Sequence, residues 1–579
     1  LPINFNFHPD SSERVQITKF SNCQIIKFFF IFKNSNNITM KKHPSGLPFL
    51  FFSEMWERFG YYLMIGIFTL YLKDVKDGFA MTEAEASDLY GTFIALVFLT
   101  PFLGGLIADR YLGYSRAVVI GGVMMGLGYC LMGVHHITAL YVGMTLVIAG
   151  NGFFKPNIST LLGNIYSTDE YREKKDEGYN IFYMGINIGA FICNFFGAAL
   201  QIMLGWGWAF MAAGIGMFIG LIVFTSGKKH YVGYDQKKGF QDGDMPMSKI
   251  IALILLPAVV FGVIGWMIPD NIFGSDSTDA FILSCLPVLY FYANLYFTAP
   301  KEEKAPIGAM LAIFAVVILF WAVFKQNGSA LNTWADRYTD RSLTGTSEVV
   351  FNSLKQSKQL TYTKDSVPVY DEYFRLQKEN DVVKQELNYP IYFRNEAKAE
   401  LPAEGEKVSV WATNLSQSIN PGWVIMLTPL VVAFFTWLRG RKKEPSTPAK
   451  IAYGLFISAL SALVMVAAAK AGSNGQEKVT VWWLIACYGV ITIGELFLSP
   501  MGLSLVSKLS PPRITALMMG GWFLSTSIGN KLSGVLASMW DKYEQKTDFF
   551  ILNCVLLLIA TAIAFSMLKW LNRIFKEHT

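Results

Sequence analysis

Glu54, Glu57 and Arg58 fall in the stretch SEMWERFGYY, between the apolar runs LPFLFF and LMIGIF. Positions 54, 57, 58, 61, 62 and 65 follow the i, i+3, i+4, i+7, i+8 spacing of one helix face. That face carries Glu54, Glu57, Arg58, Tyr61 and Tyr62 and ends at Ile65. Glu54 and Arg58 stand at i, i+4 in the favourable order for an ion pair. An unpaired charge at the centre of a bilayer costs about 3 kcal/mol on insertion scales. The stripe must therefore face other helices or a water-filled cavity. A self-neutralised packing pair accounts for one carboxylate but not for both. A surplus carboxylate in a dry setting suits the uptake and release of a proton.

Other polar residues interrupt other apolar segments. Lys155 stands in GNGFFKPNIST, Asn187 in IFYMGINIGAF, Asn420 in SINPGW, and Glu495 and Ser499 in GELFLSPMGLS. A lone asparagine in such a segment is as often a packing residue as a binding one. Taken together, Arg58 and Lys155 supply two cations, and Glu495 supplies an anion beside amides. That set complements a zwitterion, whose carboxylate meets the cations and whose ammonium meets the acid and amide oxygens.

The elements that must position these residues are apolar helices. The chain has 579 residues, 53% of them hydrophobic and 16% charged, with a mean hydropathy of +0.36. A soluble chain is about one-quarter charged. Segments near twenty apolar residues long recur, as in a polytopic membrane protein. They fall at about 47–72, 88–108, 116–135, 138–163, 179–200 and 207–226, then 249–268 and 280–298. A second set falls at about 306–328, 421–438, 449–469, 481–505, 513–537 and 548–571. The count of fourteen reads as six, two and six.

Basic residues test that count. Arg110, Arg116, Arg172, Lys174, Lys175, Lys228, Lys229, Lys237, Lys238, Lys301, Lys304, Arg439, Arg441, Lys442, Lys443, Lys508, Arg513, Lys569, Arg573 and Lys576 all fall on one side. The positive-inside rule makes that side cytoplasmic, with both termini there and residues 329–418 outside. The net charge of +6 is no nucleic-acid signal, because basic residues cluster in short loops between apolar segments. Within the insert, DEYFRLQKENDVVKQEL (371–387) reads as a short helix and KVSVWATNL (407–415) as a strand. Neither holds a catalytic constellation, so a small cap or packed loop is expected there.

The expected organisation is an all-α polytopic membrane protein. Residues 1–39 are expected to be disordered or a gene-model extension, with Met40 as the natural start. Residues 40–228 form a six-helix bundle, and 229–304 a linker with two additional transmembrane helices. Residues 305–579 form a second bundle, with the insert at 329–418. Two halves of six helices suggest a transporter with its site between them. The loop GGLIADRYLGYSR fits this, with Asp109 and Arg110 able to tie helix ends together. The six cysteines are isolated and read as packing residues. His135–His136 is the only histidine pair, and no HExxH, GxSxG or metal-ligand spacing accompanies it. An enzyme is therefore not expected, nor a metal or organic cofactor.

The sequence resembles the proton-dependent oligopeptide transporter family of the major facilitator superfamily, in its bacterial form. Glu54, Glu57, Arg58, Phe59, Tyr61 and Tyr62 match its ExxERFxYY motif. GGLIADRYLG, FKPN, FYMGINIGAF, QNGS and GELFLSPMGLS are similar to its other signatures. The likeness spans residues 45–572 apart from the insert. It implies import of di- and tripeptides with protons as the coupling ion, by alternating access, through a monomer in a bacterial inner membrane. It further implies that Arg58 and Lys155 hold the peptide carboxylate, and that Asn187, Asn420 and Glu495, with Ser499 nearby, hold the amino end. Tyr61, Tyr62, Trp321 and Trp522 would line side-chain pockets. Glu54, Glu57, Arg58 and Glu495 would couple protons, and Lys155 with Glu495 would form a gate salt bridge.

Three positions depart from the family pattern. Ile65 stands where many members carry Arg, and Lys325, in WAVFKQNGS, stands where they carry the acid that pairs with it. Phe98 stands where many carry Tyr. Lys325 could also snorkel to the outer surface as a solvated helix-end lysine. Alternatives to peptide symport are a relative that carries another small zwitterion or anion, and a receptor that binds peptide without moving it.

Overall fold

The computed structural model describes residues 43–235, 246–380, 382–396, 401–511 and 514–578. The reading of residues 1–39 and of Met40, and the basic positions Lys237, Lys238 and Arg513, lie outside them, as does Cys23. Among the described residues fourteen long helices follow one another. In the first half these are α1 (Leu47–Lys73), α2 (Glu83–Ile107), α3 (Tyr114–Met132), α4 (Ile137–Ile165), α5 (Lys175–Leu204) and α6 (Trp206–Ser226). Between the halves stand α7 (Ser248–Trp266) and α8 (Asp276–Thr298). The second half comprises α9 (Lys301–Phe324), α10 (Ile419–Gly440), α11 (Thr447–Ala471), α12 (Trp482–Leu509), α13 (Thr515–Ser538) and α14 (Lys546–His578).

Twelve of these are long and apolar enough to cross a membrane by composition alone. The exceptions are informative. α1 carries the three charges of the stripe, and α13 is diluted by Ser, Thr, Gly, Asn530 and Lys531. Both pack against other helices. α1 lies between α5 and α6, whereas α13 packs on α9 and crosses to α2 of the other half. The α2–α13 crossing is tight at Gly91 and Gly534. A Cβ on Gly91 would stand 2.6 Å from the Gly534 Cα, so only glycine allows this approach. α10 meets α5 in a second crossing between the halves. α7 and α8 pair with each other, and α8 also touches α2, α9 and α13.

Helix starts follow local chemistry. Thr82 and Glu85 form a reciprocal capping box at α2, and Ser275 and Ser446 cap α8 and α11 by accepting from the N–H three residues on. Each half has its own core, one around Phe68, Tyr129 and Phe154, the other around Phe320, Tyr488 and Trp540. The five described cysteines are free, and all but Cys130 are buried.

The insert opens with a helix, Ala330–Arg337, whose Trp334 is buried against Trp540 and Phe550 of the second half. A second short helix, Gly345–Ser353, follows. Three two-stranded antiparallel ladders complete it: β1 (Ser357–Thr361) with β6 (Lys407–Trp411), β2 (Asp365–Pro368) with β5 (Gln385–Asn388), and β3 (Lys378–Glu379) with β4 (Val382–Val383). Ser357 faces Trp411 in the first register. The strand expected at 407–415 is present as β6, giving way to a 3₁₀ turn from Thr413.

The helix expected over 371–387 is not. Asp371 instead accepts the N–H groups of Tyr373 and Arg375, each at 2.9 Å, which turns the chain. Phe374, at φ 63°, tucks its ring against Tyr338. Asn380, at φ 49°, makes the bend between β3 and β4. The side-chain turn and the ladder take the backbone donors that a helix needs.

Candidate functional site

The α1 stripe is buried. Glu54, Glu57 and Arg58 are 2%, 0% and 4% exposed. The Arg58 Nε donates to Glu57 Oε2 and lies 3.2 Å from Glu54 Oε1. Its guanidinium also sits over the Tyr61 ring, 5.2 Å from the centroid. One guanidinium thus serves two carboxylates. Glu54 Oε2, Glu57 Oε1 and Arg58 Nη2 are buried with no hydrogen-bond partner among the described residues. Buried polar atoms are rarely left so. Three from one cluster leave hydrogen-bonding capacity there that no described residue uses.

Lys155 approaches this cluster from α4, within electrostatic reach of Arg58, Glu57, Lys325 and Glu54. Its ammonium lies on the Phe98 ring of α2, 4.1 Å from the centroid. From the second half, Glu495 on α12 accepts from the Asn420 Nδ2 at 3.3 Å. The same amide donates to Thr492 Oγ1 at 2.8 Å. Two donations from Nδ2 leave the Asn420 Oδ1 free to accept. Glu495 is within electrostatic reach of Tyr62 and Tyr183 from the first half. Tyr62, itself within electrostatic reach of Arg58, thus stands near Glu495 of the second half.

The remaining expected residues are more dispersed. Asn187 is buried and spends its Nδ2 on the Tyr183 carbonyl of its own helix, 2.9 Å away. Trp321 is buried edge-on to Phe320 and Phe324, its Nε1 unpartnered. Trp522 packs on Phe314 and covers Gly502, with no contact to the ionic cluster among those described. The Ser499 Oγ is buried and unpartnered.

Two expectations are corrected. The Lys155–Glu495 gate salt bridge is not made in this conformation, because Lys155 rests on Phe98 while Glu495 is held by Asn420. Lys325 does not snorkel to solvent. It is 8% exposed, enclosed by the rings of Phe98, Trp321 and Phe324 at 5.2, 5.6 and 5.6 Å.

Sequence reasoning missed the contacts that join the halves at the end bearing the insert. Lys531 of α13, 2% exposed, donates to Asp88 of α2 at 2.6 Å, to Thr92 at 2.6 Å and to Ser277 of α8 at 2.9 Å. Ser275, Ser277 and Thr278 also donate to Asp88. Nearby, Lys73 reaches Glu83 at 2.9 Å and Thr333 at 2.7 Å, and Thr333 donates to Glu83 at 2.9 Å. Thr69 donates to the Gly328 carbonyl at 2.9 Å, and Ser527 to that of Ala95 at 2.7 Å. One signal was available in the sequence: Lys531 interrupts an apolar segment, as Lys155 does.

The family model described as the POT family matches residues 113–356 and 411–552. The chain belongs to the POT family. Its architecture, two six-helix bundles with two helices between them, is that of the major facilitator superfamily. Among curated relatives, the Uncharacterized transporter YclF of Bacillus subtilis is 29% identical over 545 residues, covering 91% of this chain and 95% of its own. The peptide transporter YePEPT of Yersinia enterocolitica is 26% identical over 554 residues, with 92% and 96% covered. A di-/tripeptide transporter of Lactococcus lactis is 26% identical, with 90% and 95% covered. Among solved structures, that of a peptide transporter POT in complex with sulfate is 27% identical, with a TM-score of 0.70 over 92% of this chain and 96% of its own. In this POT family chain Lys155 lies within electrostatic reach of the α1 stripe, and Glu495 within that of Tyr62.

Proposed function

We propose that this POT family protein is a proton-coupled symporter that imports di- and tripeptides by alternating access. The observation that carries the reading is the buried α1 cluster, two carboxylates around one guanidinium with three unpartnered polar atoms. Arg58 and Lys155 offer cations to the peptide carboxylate, and Asn420 with Glu495 offers oxygens to its ammonium. Glu54 and Glu57 are the proton sites, since one guanidinium balances only one of them. Glu495 gains its proton or its ligand in turn.

The insert end is the outer end, and both termini are cytoplasmic in a bacterial inner membrane. Basic loop residues on the terminal side support this orientation. Lys531–Asp88 and Lys73–Glu83–Thr333 serve as the outer gate, in place of the pair absent at Ile65 and Lys325. With those contacts made, the structure corresponds to the state closed to the outside. The protein works as a monomer, and protons are its coupling ion.

Uptake of a labelled dipeptide into proteoliposomes under an imposed pH gradient tests the reading. Accumulation above the external concentration is expected. Binding without accumulation would indicate a receptor, and neither binding nor uptake would indicate a carrier of another solute.

A further inference from the structure

The short helix Gly345–Ser353 of the insert has two unlike faces. On one, Glu348 accepts from the Ser409 Oγ at 2.8 Å, and the Asn352 Nδ2 donates to the same oxygen at 3.4 Å. Asn352 also accepts from Ser357, and Phe351 packs half-buried against the core of the second half. These residues hang the helix on the β1–β6 ladder. Val349 and Val350 stand on the other face, and Leu354 follows one turn after Val350. The three are 69%, 45% and 61% exposed. Scattered apolar residues on a surface need no explanation, but a group of neighbours marks a contact surface.

The level of this face relative to the membrane follows from α5. Just after the helix, the Gln356 Nε2 donates to the Phe195 carbonyl of α5 at 3.0 Å. The apolar span of α5, Glu177–Leu204, has 28 residues, about 42 Å at 1.5 Å per residue. A hydrocarbon core of about 30 Å leaves such a helix, if centred, an overhang of about 6 Å at each end. Phe195 lies about 14 Å before Leu204, and so about 8 Å inside the hydrocarbon boundary. At and beyond this level α5 itself exposes Phe196, Met203 and Leu204. An amphipathic helix lying in a bilayer interface buries its apolar face by about 5–10 Å. Lys355 and Lys358 come next in the chain and are exposed. Their long stems let the ammonium groups reach lipid phosphates from that depth.

We propose that the Gly345–Ser353 helix is an amphipathic seat on the bilayer, with Val349, Val350 and Leu354 lying in the acyl boundary of the leaflet at the insert end. The partner is the phospholipid leaflet, met through its acyl chains, with Lys355 and Lys358 placed for its phosphates. The insert is then held at two points, by Trp334 in the second half and by this helix in lipid. The inference goes beyond transport and is independent of which solute is carried.

The test places a nitroxide on the full chain in phosphatidylcholine vesicles, through Val349→Cys, Val350→Cys or Leu354→Cys, one at a time, with Cys23 and Cys130 replaced by alanine. Collisions are measured with oxygen, which concentrates among acyl chains, and with a nickel chelate, which stays in water. The oxygen-to-chelate ratio should exceed one at two or more of the three positions. Lys76→Cys, in an exposed loop at the same end, should give a ratio below one. A ratio below one at two or more of the three overturns the seat, because that face is then in water. Few collisions with either reagent at two or more of them overturn it as well, because protein, such as a second copy of the chain, then covers the face. All three positions are already exposed, so a label displaces nothing from the core. No peptide is added, so failure here leaves the peptide reading untouched.

Discussion

Replacement of Lys531 by methionine removes one partner of the ion pair that joins α2 to α13. In the closed arrangement Lys531 is 2% exposed and makes three hydrogen bonds of 2.6 to 2.9 Å, one of them to Asp88. Loss of one partner from a buried pair costs about 3–5 kcal/mol, chiefly because the other charge is left uncompensated. Asp88 keeps the hydroxyls of Ser275, Ser277 and Thr278 and is only partly buried, so about 2–3 kcal/mol is expected here. When the insert end is open, both side chains are in water and the substitution costs little. The closed form should therefore lose about 30- to 150-fold in population relative to the open form. Nitroxide labels at exposed Lys76 and Lys542, one on each half at this end, read the change as a shift toward longer distances. Pairing Lys531→Met with Asp88→Asn should reverse much of the shift, because no unpaired charge then remains. Distances identical to those of the unaltered protein in Lys531→Met would refute the gate.

Three further outcomes follow from the same geometry. Glu54→Gln or Glu57→Gln should abolish gradient-driven uptake while sparing peptide counterflow; accumulation against a gradient in both variants would remove the stripe from coupling. Arg58→Ala or Lys155→Ala should weaken peptide binding by about ten- to a hundredfold, the value of a charge-assisted hydrogen bond, and an unchanged Kd in both would end the carboxylate-clamp reading. Burial, with help from Glu83, raises the Asp541 carboxyl in the loop after α13 from 3.8 to about 6. Burial favours the neutral acid, so the stability it lends is complete below pH 3.8 and is lost as pH rises through about 6. Asp541→Asn should thus raise Tm at pH 7 more than at pH 4, and parallel Tm curves would exclude that role.

What was legible in the sequence and what was not divides along physical lines. The α1 stripe could be read because its residues are neighbours on one helix, where spacing alone fixes the face. The fourteen helices could be read because a bilayer demands long apolar runs, and even the two diluted ones, α1 and α13, lie in alternation with the basic loops. The Asp88–Lys531 pair could not be read, because its partners are 443 residues apart and meet only when two bundles cross. Lys325 was ambiguous at a helix end. Phe98, from another helix, helps to enclose it, and no local pattern reports that contact. In 371–387 a helical rhythm lost to the turn made by Asp371 and to pairing with partners the rhythm does not reveal. The family resemblance implied Lys155 and Glu495 as partners, but Phe98 and Asn420 hold them in this conformation.

The central claim is that peptide and proton cross together, with Glu54 and Glu57 carrying the proton. The direct measurement follows labelled dipeptide and internal pH in the same proteoliposomes, with no gradient imposed at the start. Addition of external dipeptide should acidify the interior as the peptide enters, and Glu54→Gln with Glu57→Gln should let peptide equilibrate without acidification. Peptide entry with no change of internal pH in the unaltered protein would contradict the account.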